Sequence, residues 1–320
     1  MFTLGLAIFY LATILYPVFA QALNSGSKAE MEGCTAMMSQ PDSSASRHQR
    51  LDYNSAKSCA LIRMMRLLKL DDGRFSLESF PKDQIPPYAI LSHTWGRGEN
   101  DEVTFKDLID GTANNKRGFK KLQFCGNQAK ADDLYYFWVD TCCIDKSNST
   151  ELQTAFNSMF RWYQNAARCY VYLSDVSVHA QDGQFLHVEW ESAFRNSRWF
   201  TRGWTLQELL APKIVEFYSR DNVRLGDKRS IEQQIHEITG ISVEALQGRH
   251  LCDFSVEERL RWGEKRQTTE DEDKAYCLLG IFEVFMSLRY GEGGKNAMDR
   301  LRRKIQKSTQ QLSCELPIIY

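Results

Sequence analysis

Residues 199–212 read Trp-Phe-Thr-Arg-Gly-Trp-Thr-Leu-Gln-Glu-Leu-Leu-Ala-Pro, which predicts a loop that continues into a short helix. Thr201 can cap the start of this helix. Pro212 lacks an amide proton and its ring clashes with the preceding turn, so the helix must end near Ala211. The tryptophan and leucine side chains of this stretch are too apolar to face water. We therefore expect the helix to pack against the rest of the fold.

This helix carries one carboxylate, that of Glu208, which lies one turn after Trp204 and on the same side of the helix. An acid beside a buried indole is either half of a structural ion pair or a functional group. Arg198 and Arg202 are the candidate partners for an ion pair. The residues alone leave both interpretations open, because paired carboxylates are common in proteins and functional ones are rare.

The composition is that of a globular protein without an overall charge bias. The chain has 320 residues, 43% of them hydrophobic, and a formal net charge of -1. This length can fill a sizeable core, and the charge balance gives no reason to expect nucleic acid as a partner. The nine cysteines lack the short paired spacings of a zinc site or a disulfide framework. We therefore expect no metal site and a reduced, cytoplasmic protein.

The N-terminal segment points to a different location. Residues 1–22 contain no charged side chain and end in the Ala-Gln-Ala form of a signal-peptidase site. Taken alone, this segment predicts a secretory signal or a single-pass membrane anchor. Residues 23–64 are polar and rich in serine, which predicts a disordered linker. An alternative hypothesis is that residues 1–64 are a gene-model extension and that Met65 is the natural start, in which case no membrane contact is expected.

Polar side chains follow two apolar runs that are typical of buried strands. Ser92, His93 and Trp95 stand at the end of the first run, and Asp140 follows the second. In open α/β sheets, ligands bind just beyond the carboxyl ends of the strands. We therefore expect these four side chains to line a pocket. The alternative for His93 is a hydrogen bond that braces a turn.

The order of elements predicts the fold class. Between residues 88 and 219, strand patterns alternate with helical patterns, which indicates an α/β fold with a mainly parallel sheet flanked by helices. Residues 66–77 predict a hairpin that leads into this sheet. From residue 229 onward the pattern becomes helical, so we expect a helical C-terminal region. The acidic run at 270–273 precedes an apolar helix, and its expected role is to cap that helix.

Three blocks of the sequence resemble the signature blocks of fungal heterokaryon incompatibility (HET) domains. They are Tyr-Ala-Ile-Leu-Ser-His-Thr-Trp-Gly at 88–96, Trp-Val-Asp-Thr-Cys-Cys-Ile-Asp-Lys at 138–146 and Trp-Phe-Thr-Arg-Gly-Trp-Thr-Leu-Gln-Glu-Leu at 199–209. Later blocks at 266–269, 272–281 and 290–293 are similar to the segment that follows this domain in many members. The resemblance implies a HET domain at 65–228, a helical region at 229–308 and a tail at 309–320. One departure is Lys146, where many members carry an acidic residue or glutamine.

This resemblance implies a role in fungal non-self recognition, in which a HET domain triggers programmed cell death when incompatible cells fuse. HET domains also resemble, remotely, Toll/interleukin-receptor (TIR) domains, which have a flavodoxin-like parallel sheet. Enzymatic TIR domains cleave NAD with a glutamate in a Ser-x-Trp-Cys-x-x-Glu-Leu helix, and the comparable segment here is 202–209. The implied catalytic residue is therefore Glu208. The implied substrate-binding residues are Ser92, His93, Trp95, Asp140, Arg202 and Trp204.

Two mechanisms follow from the resemblance. In the first, the protein is an NAD glycohydrolase in which Glu208 stabilises the positive charge that develops as the glycosidic bond breaks. NAD would then be a substrate, and no cofactor is expected. In the second, the domain is a scaffold without catalysis that self-associates or binds other incompatibility proteins, and Glu208 pairs with Arg202 or Arg198.

Overall fold

The computed structural model describes residues 64–315, apart from residues 97, 99, 179, 182, 183 and 186. The predicted signal-like segment at 1–22 lies outside the described residues, as do the predicted linker at 23–64 except for its last residue and the end of the tail at 316–320. None of the described helices combines the length and the hydropathy of a membrane span. The described residues from Met65 onward cluster in one compact unit.

Seven of the described strands form one sheet. They are β1 (Met64–Asp71), β2 (Arg74–Pro81), β3 (Tyr88–His93), β4 (Tyr136–Trp138), β5 (Arg168–Leu173), β8 (Val215–Ser219) and β9 (Arg224–Asp227). Their order across the sheet is β2-β1-β4-β3-β5-β8-β9. Two short strands, β6 (Ala180–Gln181) and β7 (Gln184–Phe185), pair with each other separately.

The sheet is mixed, with parallel strands in its centre and antiparallel strands at its edges. Strands β4, β3, β5 and β8 run parallel, whereas β1 runs antiparallel to β4 and β9 runs antiparallel to β8. The prediction of a mainly parallel sheet is therefore correct only for the four central strands. The hairpin predicted at 66–77 extends the sheet as β1 and β2, because Asp72 and Gly73 take positive φ angles of 47° and 76° and reverse the chain. At the other edge, Asn222, with φ of 64°, turns β8 back into β9.

Ten described α-helices surround or follow the sheet. They are α1 (Phe105–Ile109), α2 (Phe119–Ala131), α3 (Ser149–Asn165), α4 (His187–Arg195), α5 (Thr205–Leu210), α6 (Glu232–Thr239), α7 (Val243–Leu246), α8 (Val256–Glu264), α9 (Asp273–Tyr276) and α10 (Gly294–Glu315). Helix α2 packs on β3 and β4, whereas α5 packs on β3 and α3. The three described 3-10 helices span Ala113–Asn115, Arg198–Thr201 and Leu251–Asp253.

Strand β3 is the buried centre of the fold. All six of its residues are buried, which agrees with a continuous apolar run covered on both faces. Its last two residues, Ser92 and His93, are polar and are buried as well. Buried polar groups need partners inside the protein, so the end of β3 requires a polar environment built by other elements.

Residues 199–212 form a 3-10 turn followed by helix α5. The predicted end of the helix is confirmed, since Ala211 is its C-cap. The predicted cap at Thr201 is wrong: this residue lies in the 3-10 turn, where its hydroxyl donates to the Arg198 carbonyl at 2.8 Å. Helix α5 instead starts after Trp204 without a side-chain cap, and all six of its residues are buried. Packing rather than capping therefore stabilises this short helix.

Candidate functional site

A cavity of about 530 Å³ lies at the carboxyl ends of the parallel strands β3 and β4. Six of the seven residues predicted for the site line it: His93, Trp95, Asp140, Arg202, Trp204 and Glu208. The seventh, Ser92, is fully buried and contacts Glu208. The structure therefore brings all seven predicted residues to one place, as expected for strand ends that meet at a single edge.

Two consecutive hydrogen bonds connect Glu208 to the buried core. The Ser92 hydroxyl donates to Oε2 of Glu208, and the indole Nε1–H of Trp199 donates to Oγ of Ser92 at 2.8 Å. Both donors are fully buried, while Glu208 itself is 6% exposed and borders the cavity. The hydroxyl can donate only one proton, and the indole bond directs that proton toward the carboxylate.

The environment of Glu208 favours its neutral form. Burial and the nearby charge of Asp140 raise the pKa of Glu208 to about 8, against the opposing effects of Ser92, Tyr163 and the charge of Arg266. A carboxyl group with this pKa exchanges its proton near neutral pH, which suits a group that responds to charge in a ligand.

Neither arginine proposed as an ion-pair partner pairs with Glu208. Arg198 lies 3.9 Å from the carboxylate of Asp175, and Nη2 of Arg202 donates to the Thr269 hydroxyl at 3.0 Å. The predicted ion pair between Glu208 and Arg198 or Arg202 is therefore wrong. Glu208 instead accepts a hydrogen bond from the Ser92 hydroxyl, and Tyr163 and the charge of the buried Arg266 also favour its ionised form.

Asp140 and Trp95 also line the cavity and are hydrogen-bonded to each other. Nε1 of Trp95 donates to Oδ2 of Asp140 at 2.9 Å, and the Trp95 ring is 46% exposed. The ammonium group of Lys146 lies 3.5 Å from the centroid of this ring, a cation–π distance. The Trp95 indole is thus held at its N–H by Asp140 and on its face by Lys146, although the ring is partly exposed to solvent.

His93 lies between two carboxylates without a hydrogen bond to either. Its Nε2 is 3.4 Å from Oε2 of Glu102, and its Nδ1 is 3.8 Å from Oδ1 of Asp140, but neither ring nitrogen has a partner in hydrogen-bond geometry. The alternative role for His93, a side-chain hydrogen bond that braces a turn, is therefore not supported by a hydrogen bond of either ring nitrogen. Burial opposes the ionisation of Glu102, but the nearby His93 and Lys121 lower its pKa to about 2, so this carboxylate stays charged.

The C-terminal region supplies a wall of the cavity that the sequence did not predict. Asp273 accepts hydrogen bonds from Nε1 of Trp204 at 2.9 Å and from the Tyr290 hydroxyl at 2.8 Å. Burial raises the pKa of Asp273. The sequence predicts a helix-capping role for the acidic run at 270–273. The hydrogen bonds of Asp273 to Trp204 and Tyr290 show that this residue also holds the cavity wall. Other lining residues missed from the sequence are Lys146, Thr269, Glu270 and Tyr290.

Hydrogen bonds join residues 266–267 of the C-terminal region to residues 201–205 at the start of α5. The Gln267 amide donates to the Thr201 carbonyl at 2.6 Å, and the Gly203 amide donates to the Gln267 carbonyl at 2.9 Å. A Cβ atom at Gly203 would lie 2.5 Å from Cγ2 of Thr268, so only glycine permits this close approach. The buried guanidinium of Arg266 adds hydrogen bonds of 2.9 Å to the Arg202 carbonyl and the Thr205 hydroxyl.

Two comparisons with known proteins match this chain to heterokaryon and vegetative incompatibility proteins. The family model described as "Heterokaryon incompatibility protein (HET)" matches residues 88–196. The chain is 57% identical over 245 residues to "Vegetative incompatibility protein HET-E-1" of Podospora anserina, an alignment that covers 76% of this chain and 18% of that relative. The chain thus spans about a fifth of the length of this relative. No solved structure matches the chain. The chain belongs to the family of HET-domain heterokaryon incompatibility proteins.

Proposed function

We propose that this protein acts in vegetative incompatibility as a cell-death effector that cleaves NAD at the nicotinamide–ribose bond, with Glu208 as the catalytic residue. The relative in Podospora anserina is named for vegetative incompatibility. The observation that carries the enzymatic part is the position of Glu208: a carboxyl group at the wall of the cavity, held by Ser92 and, among the described residues, in no ion pair. The central parallel strands, with this group beyond their carboxyl ends, support the likeness to TIR domains.

The charge and the rings of the cavity suit the nicotinamide end of NAD. Four carboxyl side chains line it, against two basic ones: Asp140, Glu208, Glu270 and Asp273 against Lys146 and Arg202. The aromatic lining consists of Trp95, Phe156, Trp204 and Tyr290. Acidic groups and aromatic faces both attract a cationic ring, and the nicotinamide ring of NAD is positively charged. A cavity of about 530 Å³ also falls in the size range of small-molecule sites.

In the proposed reaction, the bond between C1′ of the ribose and the nicotinamide nitrogen breaks, and both bonding electrons leave with nicotinamide, which becomes neutral. The ribosyl group carries positive charge as the bond breaks. The ionised carboxylate of Glu208 stabilises this charge and accepts hydrogen bonds from the ribose hydroxyls. Water then attacks C1′, and a proton is released to solvent. The products are nicotinamide and ADP-ribose.

The test compares the full chain with its Glu208→Gln variant, which keeps the shape of the side chain and an acceptor for Ser92. We expect concentrated wild-type protein to convert NAD to equal amounts of nicotinamide and ADP-ribose, measured by chromatography. The variant should be slower by about 100-fold or more. Glu244→Gln, at an exposed position of α7, is the matched control and should retain wild-type activity. Undiminished NAD in concentrated wild-type protein would remove the enzymatic proposal.

A non-enzymatic scaffold is the second candidate. The observation that favours it is the near-complete burial of the Trp199, Ser92 and Glu208 network, because a closed network of this kind can also serve to fix α5 in place. Activity in this case would come from self-association or from binding to other incompatibility proteins. Cell death that persists in a fungal strain expressing Glu208→Gln at wild-type level would favour the scaffold over the glycohydrolase.

A further inference from the structure

A second cavity of about 490 Å³ lies beside the first. Three side chains, Trp95, Ile144 and Lys146, line both cavities and therefore form the wall between them. The far side of the second cavity is formed by helix α1, which contributes Phe105 and Ile109. The two cavities thus adjoin at a wall made of one indole, one aliphatic side chain and one ammonium group.

Among the described residues, the ammonium group in this wall forms no ion pair, although the charges of Asp140 and Glu102 act on it. Across the described part of the chain, no acidic oxygen lies within ion-pair distance of Lys146, and its ammonium rests on the ring of Trp95 at 3.5 Å. A cation–π contact leaves donors of the ammonium group unused. Lys146 can therefore offer hydrogen bonds to an anionic group that passes between the two cavities.

The two cavities differ in what they would accept. The first has four carboxyl side chains against two basic ones, with Asp140 and Glu270 among the four, and this excess disfavours a phosphate. In the second, two carboxyl side chains, Glu102 and Asp145, are matched by two lysines, Lys106 and Lys146. Its apolar surface includes the ring of Phe105, whose face carries the guanidinium of Arg66 at 4.5 Å, and the exposed Ile109. An aromatic and aliphatic surface of this kind suits a neutral, flat heterocycle.

We propose that the two cavities form one bipartite site for a dinucleotide, with the diphosphate at Lys146 and the adenosine end in the second cavity. This inference rests on the proposed function, which places the nicotinamide riboside end in the first cavity beside Glu208. In this arrangement the cationic ring lies in the acidic cavity, the anionic diphosphate lies at the ammonium group, and the neutral base lies in the charge-balanced cavity against Phe105 and Ile109. Lys146 is then a substrate-binding residue and Trp95 a shared wall for both halves.

The experiment measures binding of ADP-ribose and of adenosine to the full chain by isothermal titration calorimetry. Neither ligand contains the bond that a glycohydrolase would cleave, so turnover does not enter the result. We expect Lys146→Gln to weaken ADP-ribose binding by about tenfold, the effect of losing a hydrogen bond to a charged group, and to leave adenosine binding unchanged. Lys146→Arg should restore most of the affinity. Lys120→Gln, at an exposed position of α2 away from both cavities, is the charge-matched control.

Each outcome decides the proposal. The proposal is overturned if the Lys146→Gln and Lys120→Gln variants bind ADP-ribose with equal affinity. It is also overturned if Lys146→Gln weakens adenosine binding as much as it weakens ADP-ribose binding, or if the wild type does not bind ADP-ribose. If NAD is consumed but ADP-ribose binding does not depend on Lys146, the glycohydrolase proposal stands and the bipartite site falls. If binding depends on Lys146 but NAD is not consumed, the dinucleotide site stands and the glycohydrolase proposal falls.

Discussion

Ser92 and Glu208 are 116 residues apart in the sequence, yet the Ser92 hydroxyl donates a hydrogen bond to the Glu208 carboxylate at the wall of the cavity. The pair joins the end of the most buried strand to the helix that follows the Trp199 turn. Because Trp199 donates to the same hydroxyl, the three residues act as one unit, and the behaviour of Glu208 depends on both neighbours.

Replacing Ser92 by alanine should destabilise the protein by roughly 1–3 kcal/mol, since it leaves the buried Nε1–H of Trp199 without an acceptor. It should also slow NAD cleavage, because it removes the hydrogen bond that favours the ionised form of Glu208. Denaturant unfolding and the NAD assay measure the two effects. In a Trp199→Phe background the orphaned donor is absent, so the stability cost of Ser92→Ala should be smaller. An unchanged cost in the double variant would contradict this account of the network.

The rate of NAD cleavage should rise with pH between about 7 and 9. The reason is that the carboxylate form of Glu208 is the one that stabilises positive charge, and burial with the charge of Asp140 raises the pKa of Glu208 to about 8. Below that pH most of the free enzyme carries the protonated, neutral group. The measurement is kcat/KM for NAD over this range. A profile that is flat, or that falls with pH, would show that ionisation of Glu208 does not control the reaction.

The stability difference between wild type and Glu208→Gln should depend on pH with a defined sign. The pKa of Glu208 is about 8 in the folded state, above its usual value, so the folded protein holds a proton that the unfolded chain releases. The stability that this proton provides is complete below the unfolded pKa and is lost as pH rises toward and through 8. Glutamine does not titrate. Relative to pH 4.5, the variant should therefore gain on the order of 3 kcal/mol over the wild type by pH 9.

Urea unfolding of both proteins across this range provides the test, because the remaining titrating groups contribute equally to each curve and cancel in the difference. A difference that stays constant between pH 4.5 and 9 would mean that Glu208 is not held in its neutral form.

Asp273→Asn should cost roughly 1–3 kcal/mol in the free energy of unfolding. Trp204 and Tyr290 donate to separate oxygens of this carboxylate, whereas an asparagine is neutral and has only one acceptor oxygen, so the two side chains cannot both keep a hydrogen bond to a charged acceptor. The loosened Trp204 should also reduce NAD cleavage. Asp271→Asn is the matched control, since Asp271 is exposed and substitutions at such sites change stability by less than about 0.5 kcal/mol. Equal effects of the two variants would rule out a role for Asp273 in holding the cavity wall.

The sequence predicted the central strands and the polar residues at their ends because these signals are local. A continuous apolar run indicates a buried strand wherever it occurs, and Pro212 ends a helix through its own geometry. The closeness of Ser92 and Asp140 also followed, since neighbouring parallel strands end at one edge, and Glu208 joins them because α5 packs on β3. The edges of the sheet were harder to predict, because the hairpins that add β1, β2 and β9 give no local sign of which strand they pair with.

By itself, then, the amino-acid sequence determined the strand and helix pattern, the end of helix α5 and the residues at the strand ends, together with the resemblance to HET domains. Only the tertiary structure decided the partners of Glu208, the place of Asp273 and Tyr290 in the cavity wall, and the position of Lys146 between two cavities. The physical reason is that secondary structure and strand ends depend on neighbours in sequence, whereas a hydrogen bond between side chains depends on the whole path of the chain. Asp273 is 69 residues from Trp204, and no spacing rule extends over that distance.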